Sequence, residues 1–140
     1  MSARFLLDTN IVSEPATVDP SRHVMVRLER HAESCVIAAP VWHELVYGVR
    51  RLARGKRRTS LEAYLNGVVK PSFPILPYDE DAAAWQALER ARLEKLGHTM
   101  PHVDGQIAAI AFVNGLQLVT RNVKDFRRYR GLNVVDWTSR

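Results

Sequence analysis

Apolar and polar positions along the chain follow two periodicities in turn. Arg4 to Leu7 is a short apolar run halted by Asp8-Thr9-Asn10, residues that turn or cap a chain, and it predicts a buried strand feeding a loop or helix start. Ser34 to Ala38 predicts a second strand, after which Pro40 stands where a first helical turn tolerates proline. From Pro40 to about Ala53, the residues Trp42, Leu45, Val46, Val49 and Ala53 recur at helical spacing and predict an amphipathic helix. Arg58 to Val69 predicts another helix, closed by Lys70-Pro71, followed by a brief extended run from Phe73 to Leu76. Asp79, Glu80 and Asp81 head a long helix that Gly97 ends, with Ala84, Trp85, Leu88 and Ala91 expected toward the core. Ile107, Ala108, Ile110 and Ala111 mark a helix closing at Asn114-Gly115, then a strand from Leu116 to Val119. Thr120 to Tyr129 turns into a short basic helix, and Asn133 to Val135 predicts a last edge strand. Strands and helices alternate without repeats or linkers, which predicts one α/β domain over residues 1–140 with a mostly parallel central sheet flanked by helices.

Composition narrows the function classes. The chain has 140 residues, 46% hydrophobic and 25% charged, enough for one real core and too little for two ordinary domains. No apolar run approaches the roughly 20 residues of a membrane helix, so no membrane association is expected. The N-terminal stretch carries Arg4 and Asp8, unlike a secretory signal. Cys35 is the single cysteine, which excludes an intramolecular disulfide and a Cys-rich zinc site and fits a reducing cytoplasm.

The net charge of +5 is unevenly spread. Arg50, Arg51, Arg54, Lys56, Arg57 and Arg58 form one cluster, and Arg121, Lys124, Arg127, Arg128 and Arg130 form another. Such patches attract polyanions such as nucleic acid, although solvated helix ends also collect cations. Arg50, Arg51, Arg54, Lys56, Arg121 and Lys124 are the candidate contacts to a nucleic-acid backbone.

In open parallel sheets, ligands bind beyond the carboxyl ends of the strands. Asp8 follows the first strand, Glu44 lies one turn into the helix after the second, Asp104 heads the penultimate long helix and Asp125 follows the strand at Leu116 to Val119. All four acids can therefore meet at one sheet edge. Grouped carboxylates repel, so either their pKa values rise or a cation neutralises them, and oxygen-only ligands suit Mg²⁺ or Mn²⁺. A carboxylate-held Mg²⁺ beside cationic patches is the chemistry of phosphodiester hydrolysis by metal-activated water. Taken singly, each acid also has a plainer role: Asp8 and Asp104 as helix caps, Glu44 as a partner of Arg51, Asp125 as a surface acid among arginines.

Four motifs then carry a resemblance over essentially the whole chain. Leu6-Leu7-Asp8-Thr9-Asn10, His43-Glu44-Leu45-Val46-Tyr47-Gly48, Met100 to Ala109 with Asp104 inside it, and Leu118-Val119-Thr120-Arg121-Asn122-Val123-Lys124-Asp125-Phe126 resemble the PIN-domain ribonucleases. Within them the chain is similar to VapC toxins of type II toxin–antitoxin systems, in the FitB-like branch. The resemblance implies a PIN-like fold in which Asp8 and Asp104 are the principal Mg²⁺ ligands, with Glu44 and Asp125 completing the acidic pocket. It implies that Thr9, Asn10, Thr120 and Asn122 hold these acids by hydrogen bonds. It also implies endonucleolytic RNA cleavage, a homodimer and inhibition by a cognate antitoxin.

Two other readings use the same residues. A receiver-like phosphoacceptor domain also sets acids around Mg²⁺ at strand ends, but normally wants an acid pair after the first strand where Asp8-Thr9 offers one. A non-catalytic nucleic-acid-binding module would use the basic patches alone. His102 reads as an exposed loop histidine, and His43 is expected to face away from Glu44. Trp42 and Trp85 fall on apolar stripes. Neither GxGxxG, GxxxxGK[ST] nor GxSxG occurs.

Overall fold

The computed structural model describes residues 2–139. In chain order the elements are β1 (Phe5–Leu7), α1 (Thr9–Val12), α2 (Arg22–Arg30), β2 (Cys35–Ala38), α3 (Ala39–Arg50), α4 (Lys56–Tyr64), α5 (Lys70–Ser72), β3 (Ile75–Leu76), α6 (Glu80–Lys95), α7 (His102–Val113), β4 (Gln117–Val119), α8 (Val123–Phe126) and β5 (Val134–Val135). The five strands pair in the order β3-β2-β1-β4-β5, every neighbour parallel. β1 and β2 are buried throughout, which explains why they read as continuous apolar runs instead of alternating. β1 is central: the chain grows outward through β2 and β3, then returns to place β4 on the other side of β1. That reversal opens a crevice at the carboxyl ends of β1 and β4.

Four local expectations need correction. The helix after Pro40 stops at Arg50 instead of Ala53, because the Leu52 N–H bonds the Val49 carbonyl and tightens the last turn. Lys70-Pro71 does not close the next helix. Residues Leu65–Val69 form a wider π turn in which the Lys70 N–H reaches the Leu65 carbonyl, and the chain continues helically through Ser72. In a regular α-helix the Pro71 ring would strike the carbonyl four residues back; the extra residue in the preceding turn makes room for it.

The long helix α6 presents a different face from the one its apolar residues predict. Its buried residues are Ala82, Gln86, Glu89 and Leu93, whereas Ala84 and Ala91 are exposed, Leu88 is 72% exposed and Trp85 is half-buried. Gln86 and Glu89 can be buried because both are hydrogen-bonded: Gln86 to Tyr78 and His102, Glu89 to Arg92 on the same helix and to the Arg130 N–H. The fourth correction is α2, which the apolar pattern does not signal. Only Val24 of its nine residues is buried, and its start depends on the Ser21 hydroxyl accepting the Val24 N–H.

A carboxylate cluster as the candidate active site

Asp8 is the residue at which β1 becomes α1. Its Oδ1 accepts the Thr9 N–H at 2.8 Å, so it does cap the helix, and its Oδ2 accepts the Thr120 hydroxyl at 2.7 Å. Thr120 is completely buried at the end of β4, and the Asp8 N–H bonds the Val119 carbonyl across the strand pair. The two central strands therefore fix this carboxylate from both sides. Glu44, half-buried in the second turn of α3, accepts the Thr9 hydroxyl at 3.4 Å. Asp104 is the third residue of α7, half-buried, at a helix end where Pro101 holds the cap position and no side chain caps. Asp125 is the third residue of α8 and is also half-buried.

The charges show that these acids share one neighbourhood. Burial raises the Asp104 carboxyl to about 6, with the negative charges of Asp8, Glu44 and Asp125 adding to the rise. Burial raises Glu44, with Asp8 adding to it and Thr9 opposing it; burial also raises Asp8 against the pull of Thr120 and the Thr9 N–H. Among the described residues no three acids close on one point as a finished metal cage. The donor set nevertheless fits a hard divalent cation: all are carboxylate oxygens, crowded and desolvated so that their charge is costly without a counter-ion.

The four polar residues of the resemblance divide into two kinds. Thr9 and Thr120 bond the acids directly, Asn10 bonds a backbone N–H, and Asn122 enters through its own backbone N–H. The Asn10 Oδ1 accepts the Arg121 N–H at 3.3 Å, and Asn122 donates its own backbone N–H to the Thr120 hydroxyl oxygen at 3.0 Å. They order the loop behind Asp8, and among the described residues neither bonds a carboxylate.

The basic residues are likewise not equivalent. Arg121 pairs with Glu14, an acid 5% exposed that also accepts the Ser21 N–H at 2.6 Å. Arg121 is thereby held as a partner of a buried charge, at 44% side-chain exposure. Arg51 lies over the Tyr47 ring, 5.6 Å from its centroid, and does not pair with Glu44. Arg50, Arg54, Lys56 and Lys124 are exposed. Arg57 lines a cleft of about 290 Å³ together with Thr9, Glu44, Leu61 and Tyr64, so it shares a cavity with one of the four acids, Glu44. His43 is exposed and stacks on Tyr47, and His102 is exposed as the first residue of α7 instead of lying in the loop.

Sequence patterns miss Glu14 and Gln86, whose roles depend on residues far along the chain. The Gln86 Nε2 donates to the His102 carbonyl at 3.1 Å and its Oε1 accepts the Tyr78 hydroxyl at 2.5 Å. Gly105 leaves the room for this: a Cβ there would stand 2.4 Å from the Gln86 Nε2. Gly105→Ala is expected to push Gln86 off the head of α7 and destabilise the protein by about 1–3 kcal/mol, the usual overpacking range, as read by denaturant unfolding. An unchanged midpoint would contradict that packing.

Comparison with known proteins gives consistent matches. A family model described as PIN domain matches residues 5–132. Toxin FitB of Neisseria gonorrhoeae is 36% identical over 124 residues, covering 86% of this chain and 89% of that protein. VapC ribonuclease Y4jK of Sinorhizobium fredii is 32% identical over 134 residues, covering 94% and 95%. Among solved structures, FitAB bound to an IR36 DNA fragment superposes with a TM-score of 0.90 at 30% identity, covering 97% of this chain and 96% of that one. DNA-bound VapBC from Salmonella typhimurium superposes with a TM-score of 0.83 at 28% identity, covering 96% and 98%.

Proposed function

This chain belongs to the PIN-domain nuclease family, in its branch of VapC and FitB toxins, and on that premise we propose that it is a divalent-metal-dependent endoribonuclease, the toxin of a toxin–antitoxin pair. The observation that carries the reading is the Asp104 carboxyl, raised to about 6 by burial and by Asp8, Glu44 and Asp125 at the crevice between β1 and β4. Asp8 and Asp104 are the principal holders of Mg²⁺ or Mn²⁺, with Glu44 and Asp125 completing the set. When bound, the ion supplies a Lewis acid that makes water nucleophilic at neutral pH and offsets charge on the phosphate. Thr9 and Thr120 keep Glu44 and Asp8 aimed into the crevice. Arg57, beside Glu44 in the adjoining cleft, and the exposed cations Arg50, Arg51, Arg54, Lys56 and Lys124 draw the RNA backbone toward the acids. An antitoxin chain and a second copy of this chain are the proposed protein partners, as in the FitAB and VapBC complexes it resembles.

The test uses purified protein freed of any copurifying partner, a mixed RNA pool and one salt condition. Cleavage is expected with Mg²⁺ or Mn²⁺ and lost with EDTA or in Asp104→Asn. Metal-independent cleavage, or RNA binding without cleavage across both ions, would sink the reading, the latter in favour of a binding module. A receiver domain predicts phosphorylation by a small phosphodonor, and none is expected, because one acid follows β1 where such domains need two.

A further inference from the structure

The buried face of α6 carries an acid where an apolar residue would normally serve. Glu89 is 7% exposed, and burying a carboxylate is costly unless it is fully paired. Three N–H groups meet it: the Arg92 Nε at 2.9 Å and Nη2 at 2.8 Å, and the backbone N–H of Arg130 at 2.6 Å. The same Arg92 Nη2 also donates to the Arg128 carbonyl at 2.8 Å. A pair that served only to strengthen α6 would need the i,i+3 contact alone. This one instead grips the main chain of a turn 36 to 41 residues away.

That turn begins immediately after α8, the element that bears Asp125. α8 has four residues, far too few to hold a helix by its own propensity. Its leading end is tied where the Asn122 N–H meets Thr120, and its trailing end where Glu89 and Arg92 hold Arg128 and Arg130. Phe126 and Tyr129, 1% and 3% exposed, plug the segment into the core between these ties. Among the described residues no hydrogen bond aims the Asp125 carboxylate, so its position is set by the two ends of this short span.

We infer that Glu89 and Arg92 are positioning residues for Asp125, clamping the turn at residues 128–130 so that the fourth carboxylate faces Asp104. The inference rests on the carboxylate-site reading above, in which Asp125 is one of the acids that hold the cation. Groups that orient metal ligands typically matter about 10–100-fold in metal affinity or activity.

The test measures Mn²⁺ affinity by titration and RNA cleavage on the full chain, for Glu89→Ala, Glu89→Gln and Arg92→Ala, each alone and combined with Asp125→Asn. Glu89→Ala is expected to weaken Mn²⁺ binding about 10–100-fold, and Arg92→Ala to do so in the same direction. Glu89→Gln is expected to recover part of the loss, because an amide oxygen still accepts the Arg130 N–H. In the Asp125→Asn background the effect of Glu89→Ala should shrink to within about twofold, since groups acting through one another are not additive. An undiminished effect in that background would overturn the inference, as would folded variants with wild-type affinity. Should Glu89→Ala fail to fold, Arg92→Ala carries the same test, its side chain being partly exposed. If Asp125→Asn alone matches wild type, the assignment of Asp125 falls, and the inference with it, by a signature independent of Glu89.

Discussion

With Asn in place of Asp8, RNA cleavage is expected to fall about a thousandfold or more while the metal-free protein melts at a higher temperature. The first half follows from the position of Asp8 as the most rigidly held acid of the cluster, gripped by Thr9 and Thr120 at 2.8 and 2.7 Å. A lost metal ligand forfeits several kcal/mol of stabilisation of developing charge, and each 1.36 kcal/mol is tenfold in rate. The second half follows from burial. Desolvation raises the Asp8 carboxyl, so its ionised form at neutral pH weakens the folded state, and Asn removes that charge. Asn also caps helices well and its oxygen can still accept the Thr9 N–H. Single-turnover cleavage and a melting curve test both halves together, and full metal-dependent activity in Asp8→Asn would end the assignment.

A second large effect is expected in how pH and metal act together on stability. Asp104 has a carboxyl raised to about 6 in the folded chain against an ordinary value near 4, so between those values the folded state binds more protons than the unfolded one. Its contribution is fully present below about 4 and lost as pH rises through about 6. Metal-free protein should therefore gain stability from this group as pH falls from 7 toward 5. Asp8 and Glu44, raised by burial, act with the same sign. His31 opposes them, because burial and the neighbouring charges of Arg4, Arg30 and Arg27 lower its pKa and protonation then favours unfolding. Comparison with Asp104→Asn cancels His31 and leaves the acid. The melting-temperature difference between wild type and this variant should shrink on acidification from pH 7 to 5. A divalent cation, which competes with protons for the same oxygens, should stabilise wild type more at pH 7 than at pH 5. Equal stabilisation at both values, or none, would contradict a cation held by these carboxylates.

The parts of this molecule that were legible in its sequence are those where local pattern and global burial agree. β1 and β2 are buried along their whole length, and of the expected α3 stripe Leu45 and Val49 are buried and Trp42 and Val46 half-buried, so these elements declare themselves, although Val41 is buried without having been part of that stripe. The four acids were legible because each stands at a fixed offset from a strand end or helix start. The elements that stayed hidden derive their order from distant partners. α6 shows Ala84, Ala91 and Leu88 to solvent and buries Gln86 and Glu89, an inversion that the remote groups on residues 78, 102 and 130 explain. Asn10 and Asn122 were expected to hold the acids by hydrogen bonds; instead Asn10 accepts a backbone N–H, and Asn122 contributes its main-chain N–H, a bond its side-chain type does not announce.

The pairing of β4 with β1 has a consequence in time. Asp8 is made with β1, but the hydroxyl that orients it arrives 112 residues later, on a strand that must insert beside β1. Parallel pairing across such a separation is slow to form. A nascent or prematurely ended chain that lacks β4 holds Asp8 and Glu44 without Thr120 or Asp125. Such a chain is expected to be harmless to the RNA around it, including the message from which it is being read. The acid set is expected to be complete only once β4 has docked beside β1 and α8 has brought Asp125 to the crevice.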